Sequence, residues 1–184
     1  CRICISNTSK EYHTGGFARE PIKAGAGWIV MEQVTADILA SGVCEPVVYR
    51  EMIKVAPDIH KKLNEGGLWH ITSDSGTDYT VKAKEGGGRV ETPKVVGAPW
   101  VPGGLVAFPA GEIAGTPIPG TGEGIVVWDT TVHHPPGLLR EPIRLTIKKG
   151  VVTKIDGGTE AEQLKDFIKK FGDDLTYNFD VELS

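Results

Sequence analysis

The sequence never runs apolar for the ~20 residues that a membrane span needs, so no membrane partner is expected. Its three cysteines are too few for a disulfide framework, which points to a cytoplasmic protein. Cys1 and Cys4 have the C-x-x-C spacing but fall on the expected strand Arg2 to Ser6, whereas a redox pair should follow a strand and open a helix. A net charge of −4 argues against nucleic acid as a partner. Ser75 lacks the flanking glycines of a nucleophile elbow, and no histidine has a partner at H-E-x-x-H spacing. Gly86-Gly87-Gly88 is followed by neither Lys-Ser/Thr nor a helix, so it is no phosphate loop. Gly120-Thr121-Gly122 runs into a strand, so it is no dinucleotide site. There is no signal-peptide pattern, internal repeat or low-complexity tract.

What the chain does have is glycine and proline, 24 and 12 of them, falling mostly between short apolar runs as in a turn-rich β region. At 184 residues, one domain or parts of two are expected. Residues 1–65 read as mixed α/β. Arg2 to Ser6 and Trp28 to Met31 are strand-like, and Thr35 caps a helix that Gly42 ends. A longer helix opens at Pro46, with Val48, Met52, Val55, Ile59 and Leu63 at helical spacing; Pro57 should kink or divide it.

The character changes near residue 66. Leu68 to Thr72 and Thr77 to Ala83 predict a hairpin around Ser73 to Gly76, with Asp78 bonding the turn's own backbone. Ile125 to Trp128 reads as a strand buried on both faces, and Ile143 to Ile147 alternates cleanly before the turn Lys149-Gly150. Thr159-Glu160-Ala161-Glu162 has the form of a capping box opening a helix with Ala161, Leu164, Ile168 and Phe171 on one face. Tyr177 to Leu183 reads as a final strand. A chain that stops there is expected to be a piece of a longer protein.

Two carboxylates stand out. Glu112 lies in Phe108 to Pro117, a loop of Gly, Pro and Ala with no other charge, and reads as a solvated turn acid or as a ligand. Glu182 alternates with Val181 and Leu183, so it points to solvent or into a site. Two such hard oxygen donors suit a divalent ion. Adjacent His133 and His134 point apart on an extended chain, and with Pro135-Pro136 after them they read as a surface turn.

Three stretches together resemble the thermophilic metallo-aminopeptidase family of the aminopeptidase T and S type: Ser75-Gly76-Thr77-Asp78, Phe108 to Glu112 leading to Gly122-Glu123-Gly124-Ile125-Val126, and Ile155-Asp156-Gly157-Gly158 with the helix after it. The likeness spans roughly residues 34–184. It implies an α/β N-terminal part followed by a mainly β (α+β) metal-site domain. Residues 1–65 would end the N-terminal domain, and residues 66–184 would be the first part of a catalytic domain truncated at its C-terminal end. It also implies a homodimer and a metal-dependent hydrolase acting on a peptide or other small molecule. Glu112 and Glu182 would hold zinc, cobalt or manganese beside ligands further along, and no general base is identified. A related branch cleaves dihydroxypyridine rings with Fe(II) and oxygen, and Ile143 to Phe171 resembles it at least as closely. That branch has a histidine near the position of Glu182, so the carboxylate there favours the hydrolase. The third reading is a non-enzymatic binding module.

Overall fold

The computed structural model describes residues 3–8, 18–32, 34–91, 104–109, 111–132 and 134–179. Strands dominate over helices in a mixed α/β arrangement with three sheets among these residues. The chain forms two compact units: residues 1–61 with 89–113, and residues 62–88 with 114–184.

The first unit is built on a parallel sheet. Strand β1 (Ile3–Thr8) pairs in parallel with β2 (Gly27–Glu32), and the connection between them carries helix α1 (Arg19–Lys23). The Trp28 Nε1–H donates to Ser6 Oγ at 3.1 Å, tying these two strands together through side chains. Helix α2 (Ala36–Ala40) is capped by Thr35, whose hydroxyl accepts the Ile38 N–H at 3.3 Å. Helix α3 (Pro46–Asn64) runs through Pro57 without being divided. Proline removes one ladder bond there, but Tyr49 and Ala56 are buried on the same helix, and tertiary packing of an amphipathic face outweighs one lost bond.

In the second unit, β3 (Gly67–Thr72) and β4 (Asp78–Ala83) form the expected antiparallel hairpin. The chain returns to the first unit at β5 (Arg89–Glu91), and β6 (Leu105–Ala107) joins that unit's parallel sheet beside β2, a pairing that local sequence does not announce. Strand β7 (Glu112–Ala114) pairs with β5. Strands β8 (Glu123–Trp128), β9 (Ile143–Lys148) and β10 (Val151–Asp156) complete a five-stranded sheet in the order β10-β9-β8-β4-β3. Helix α4 (Thr159–Lys169) packs against it.

The core of this unit joins Tyr79 and Val81 of β4, Ile143, Leu145 and Ile147 of β9, Ile155 of β10, and Ala161 and Leu164 of α4. Strand β9 alternates buried and outward residues as its sequence predicts, because successive side chains leave a strand on opposite faces. Strand β8 departs from expectation: only Val127 is fully buried, and its apolar neighbours are half-buried.

The capping box on Thr159 is not formed. Gly158 is the N-cap, its carbonyl accepts the Ala161 and Glu162 N–H groups, and Glu162 pairs with Lys165 at 2.7 Å. The helix thus begins one position earlier than the capping box implies. At the other end, Phe171 lies past the last helical residue and is 60% exposed rather than on the buried face. Of the expected final strand Tyr177 to Leu183, Tyr177 ends a 3-10 turn that begins at Asp174, Asn178 bridges Val151, and residues 180–183 lie outside the described residues. Phe179 then meets Tyr79 edge-on at 5.7 Å, closing that side of the core.

Candidate functional site

Glu112 is not in a loop. It is the first residue of β7, exposed, and burial increases along the strand through half-buried Ile113 to buried Ala114. Gly111 before it has φ +146°, a conformation that residues with a Cβ rarely adopt, and a Cβ there would lie 2.6 Å from Met52 Sδ. That backbone conformation, which suits glycine, leads directly into Glu112. Glu182 lies outside the described residues, as do His13 and His133.

The described histidines are dispersed. His134 stacks on Phe167 at 4.1 Å with the rings 20° apart, an aromatic contact that leaves it in the surface turn expected. His70 Nε2 lies 2.8 Å from Asp78 Oδ1, joining β3 to β4 across the exposed sheet face. Asp78 therefore does not bond the turn backbone as expected. That role falls to Ser73, whose Oγ accepts the Thr77 N–H at 3.2 Å. The exchange follows from register: Asp78 already belongs to β4, opposite Thr72, so its side chain stands on the sheet face diagonal to His70. Thr77, almost fully buried, accepts the Val127 N–H at 3.0 Å and fastens the turn to β8.

A groove of about 340 Å³ opens between the loop Pro135 to Glu141 and the first turns of α4, at Thr159, Glu160 and Gln163. Glu160 Oε1 accepts the Arg140 N–H at 3.4 Å and lies 4.0 Å from its guanidinium Nε. The volume suits a small molecule. The sequence marks Pro135-Pro136 as a turn and Thr159-Glu160 as a helix start, but not that they share a groove, because the loop and the helix are apart in the chain. Among the described residues, no group of three or more His, Cys, Asp or Glu could hold a metal ion. Nor is any described helix long and apolar enough to cross a membrane.

Residues 26–180 match the model of the family described as NicX, 2,5-dihydroxypyridine 5,6-dioxygenase. The curated 2,5-dihydroxypyridine 5,6-dioxygenase of Pseudomonas putida KT2440 is 33% identical over 117 residues, 62% of this chain and 32% of that protein. The solved 2,5-dihydroxypyridine dioxygenase from P. putida KT2440 superposes with a TM-score of 0.69 at 23% identity, over 95% of this chain and 48% of that one. Wild-type AmpT from Thermus thermophilus superposes with a TM-score of 0.57 at 12% identity, over 96% of this chain and 53% of that one. The chain thus spans about a third of the curated relative and about half of each solved chain.

These matches overturn the metal-dependent hydrolase expected from the sequence, and with it the aminopeptidase and metalloprotease readings. The error has a physical origin. Both branches share the fold, as the superposition on AmpT shows, so turn and strand motifs that build the fold carry no information about which chemistry it hosts. The choice then rested on a carboxylate at position 182, one residue outweighed by a family match across 26–180.

Proposed function

The chain belongs to the 2,5-dihydroxypyridine 5,6-dioxygenase (NicX) family, and from that premise we propose that the protein containing it is a ring-cleaving dioxygenase acting on a small dihydroxylated pyridine. The observation that carries this reading is the family match over residues 26–180, supported by 33% identity to a curated enzyme of that name. The cofactor of the proposal is a divalent metal, Fe(II). The described residues do not by themselves supply a ligand set, so the set includes residues outside them. Ferrous dioxygenase sites commonly use two histidines and one carboxylate. Glu112, exposed at the start of β7, and Glu182 are the candidate carboxylate donors.

The same proposal takes residues 1–65 as the end of an α/β N-terminal domain and residues 66–184 as the first part of the catalytic domain. It places the protein in the cytoplasm as a homodimer.

The test is made on the protein containing this chain, loaded anaerobically with ferrous iron. Mixed with 2,5-dihydroxypyridine and oxygen, it should take up one O2 per substrate as the ring absorbance is lost. Iron-loaded protein that consumes no oxygen with this substrate refutes the reading. Metal analysis of Glu112→Ala and Glu182→Ala separates the donors: the true ligand loses iron on substitution, and iron retained in both variants removes both from the site.

A further inference from the structure

The loop after His134 is fastened to helix α4 at both ends. At its start, the His134 ring stacks on Phe167 at 4.1 Å. At its far end, the Arg140 N–H donates to Glu160 Oε1 at 3.4 Å. Between them the Leu139 N–H donates to Thr130 O at 2.8 Å and Leu138 bridges Thr131, which sets the shape of the loop. Glu160, Gln163 and Phe167 follow one another at spacings of three and four residues, so they share one face of α4. The two fastenings are therefore two helical turns, about 10 Å, apart along the helix. The groove of about 340 Å³ lies where the loop stands away from α4.

One wall of the groove is apolar. Pro135, Pro136 and Leu138 line it, and Leu138 is 77% exposed. The other wall carries charge. The Glu160 side chain is only 14% exposed, yet its partners all meet Oε1: the Arg140 N–H, and Arg140 Nε at 4.0 Å. Among the described residues, nothing donates to Oε2. A carboxylate so far removed from water needs more than one long hydrogen bond. The positive end of α4 supplies part of the compensation. The Glu141 carboxylate also lines the groove and lies against Gly158, both oxygens 2.7 Å from where a Cβ on that glycine would stand. It too has no hydrogen bond or ion pair among the described residues.

Against these two carboxylates stands one cation, Arg140, whose side chain is 92% exposed and so acts through water of high dielectric constant. The helix end adds about half a positive charge. The groove remains net negative, beside an apolar wall.

We propose that this groove binds a small organic cation, a primary ammonium paired with Glu160 and Glu141 and carried on an apolar body that lies along Pro135, Pro136 and Leu138. An ammonium has three donors and no acceptor. The unused Glu160 oxygen, the Glu141 carboxylate and the Gln163 amide oxygen are acceptors for them. A neutral ligand forgoes the charge-assisted bond, and an anion meets two like charges. None of these residues is a candidate iron donor, so this site stands or falls apart from the proposed ring cleavage.

The experiment uses the protein containing this chain, with the 184-residue chain measured beside it. Isothermal titration calorimetry compares three ligands of one apolar body: 2-phenylethylammonium, 2-phenylethanol and phenylacetate. The ammonium should bind, the alcohol should bind about tenfold more weakly, and the carboxylate should not bind measurably. Glu160→Gln keeps an acceptor for the Arg140 N–H but removes the charge, so ammonium affinity should fall about tenfold. Arg140→Ala removes the competing cation and keeps the N–H, so ammonium affinity should rise about two- to threefold. A merely structural role for these residues predicts no such rise, and circular dichroism checks that both variants fold. Phenylacetate bound as tightly as the ammonium, an affinity unmoved by Glu160→Gln, a fall with Arg140→Ala, or no ammonium binding at millimolar concentration overturns the proposal. So does binding by the 184-residue chain that the longer protein lacks.

Discussion

Leu145→Ala tests the account of the second unit's core most directly. Leu145 is 1% exposed and sits mid-strand in β9 between Ile143 and Ile147, within the cluster that joins β4, β10 and α4. Truncation removes three carbon atoms from water-free surroundings, worth about 0.8 kcal/mol each, or roughly 2.4 kcal/mol. A cavity term of about 24 cal/mol per Å3 of unrelaxed space adds to this. The neighbours on either side belong to hydrogen-bonded strands, which limits collapse, so a total of about 3–4 kcal/mol is expected, within the ~2–5 observed for such changes. Lys148→Ala, on the same strand but exposed, should stay within about 0.5 kcal/mol of the parent. Urea unfolding followed by circular dichroism gives both numbers from the shift in midpoint, provided the slope is unchanged. A loss below about 1 kcal/mol for Leu145→Ala, or equal losses for the two variants, would refute the assigned faces of β9.

Two further outcomes follow from local geometry. Thr77→Val keeps shape but deprives the buried Val127 N–H of its acceptor, and should cost about 1–3 kcal/mol by the same unfolding assay, whereas Thr77→Ser should recover most of it. Thr35→Ala removes a formed helix cap and should cost about 0.5–1 kcal/mol, while Thr159→Ala removes none and should cost less than half as much; equal losses would restore the capping box on Thr159.

The pattern of success along the chain has a common cause. The β3–β4 hairpin, the alternation of β9, the Thr35 cap and the existence of α4 were readable because each depends on residues adjacent or one turn apart. Where a distant group intervened, local chemistry was overruled. The diagonal His70 drew Asp78 away from its turn. Glu112 was legible as an isolated carboxylate among small residues, but not as the opening of a strand, because its partner β5 lies about twenty residues earlier in the chain.

By itself, then, the sequence determined where the chain turns, most of the apolar faces of its strands and helices, and a likeness to a fold that two families share. Tertiary structure alone decided that β6 crosses back to lie beside β2, that the loop after His134 meets the start of α4 to enclose a groove, and that β3 stands at a sheet edge. The division follows from the range of the forces. Burial periodicity is set by the geometry of a few successive residues, whereas strand neighbours are chosen by the packing of the whole unit, which no short stretch encodes.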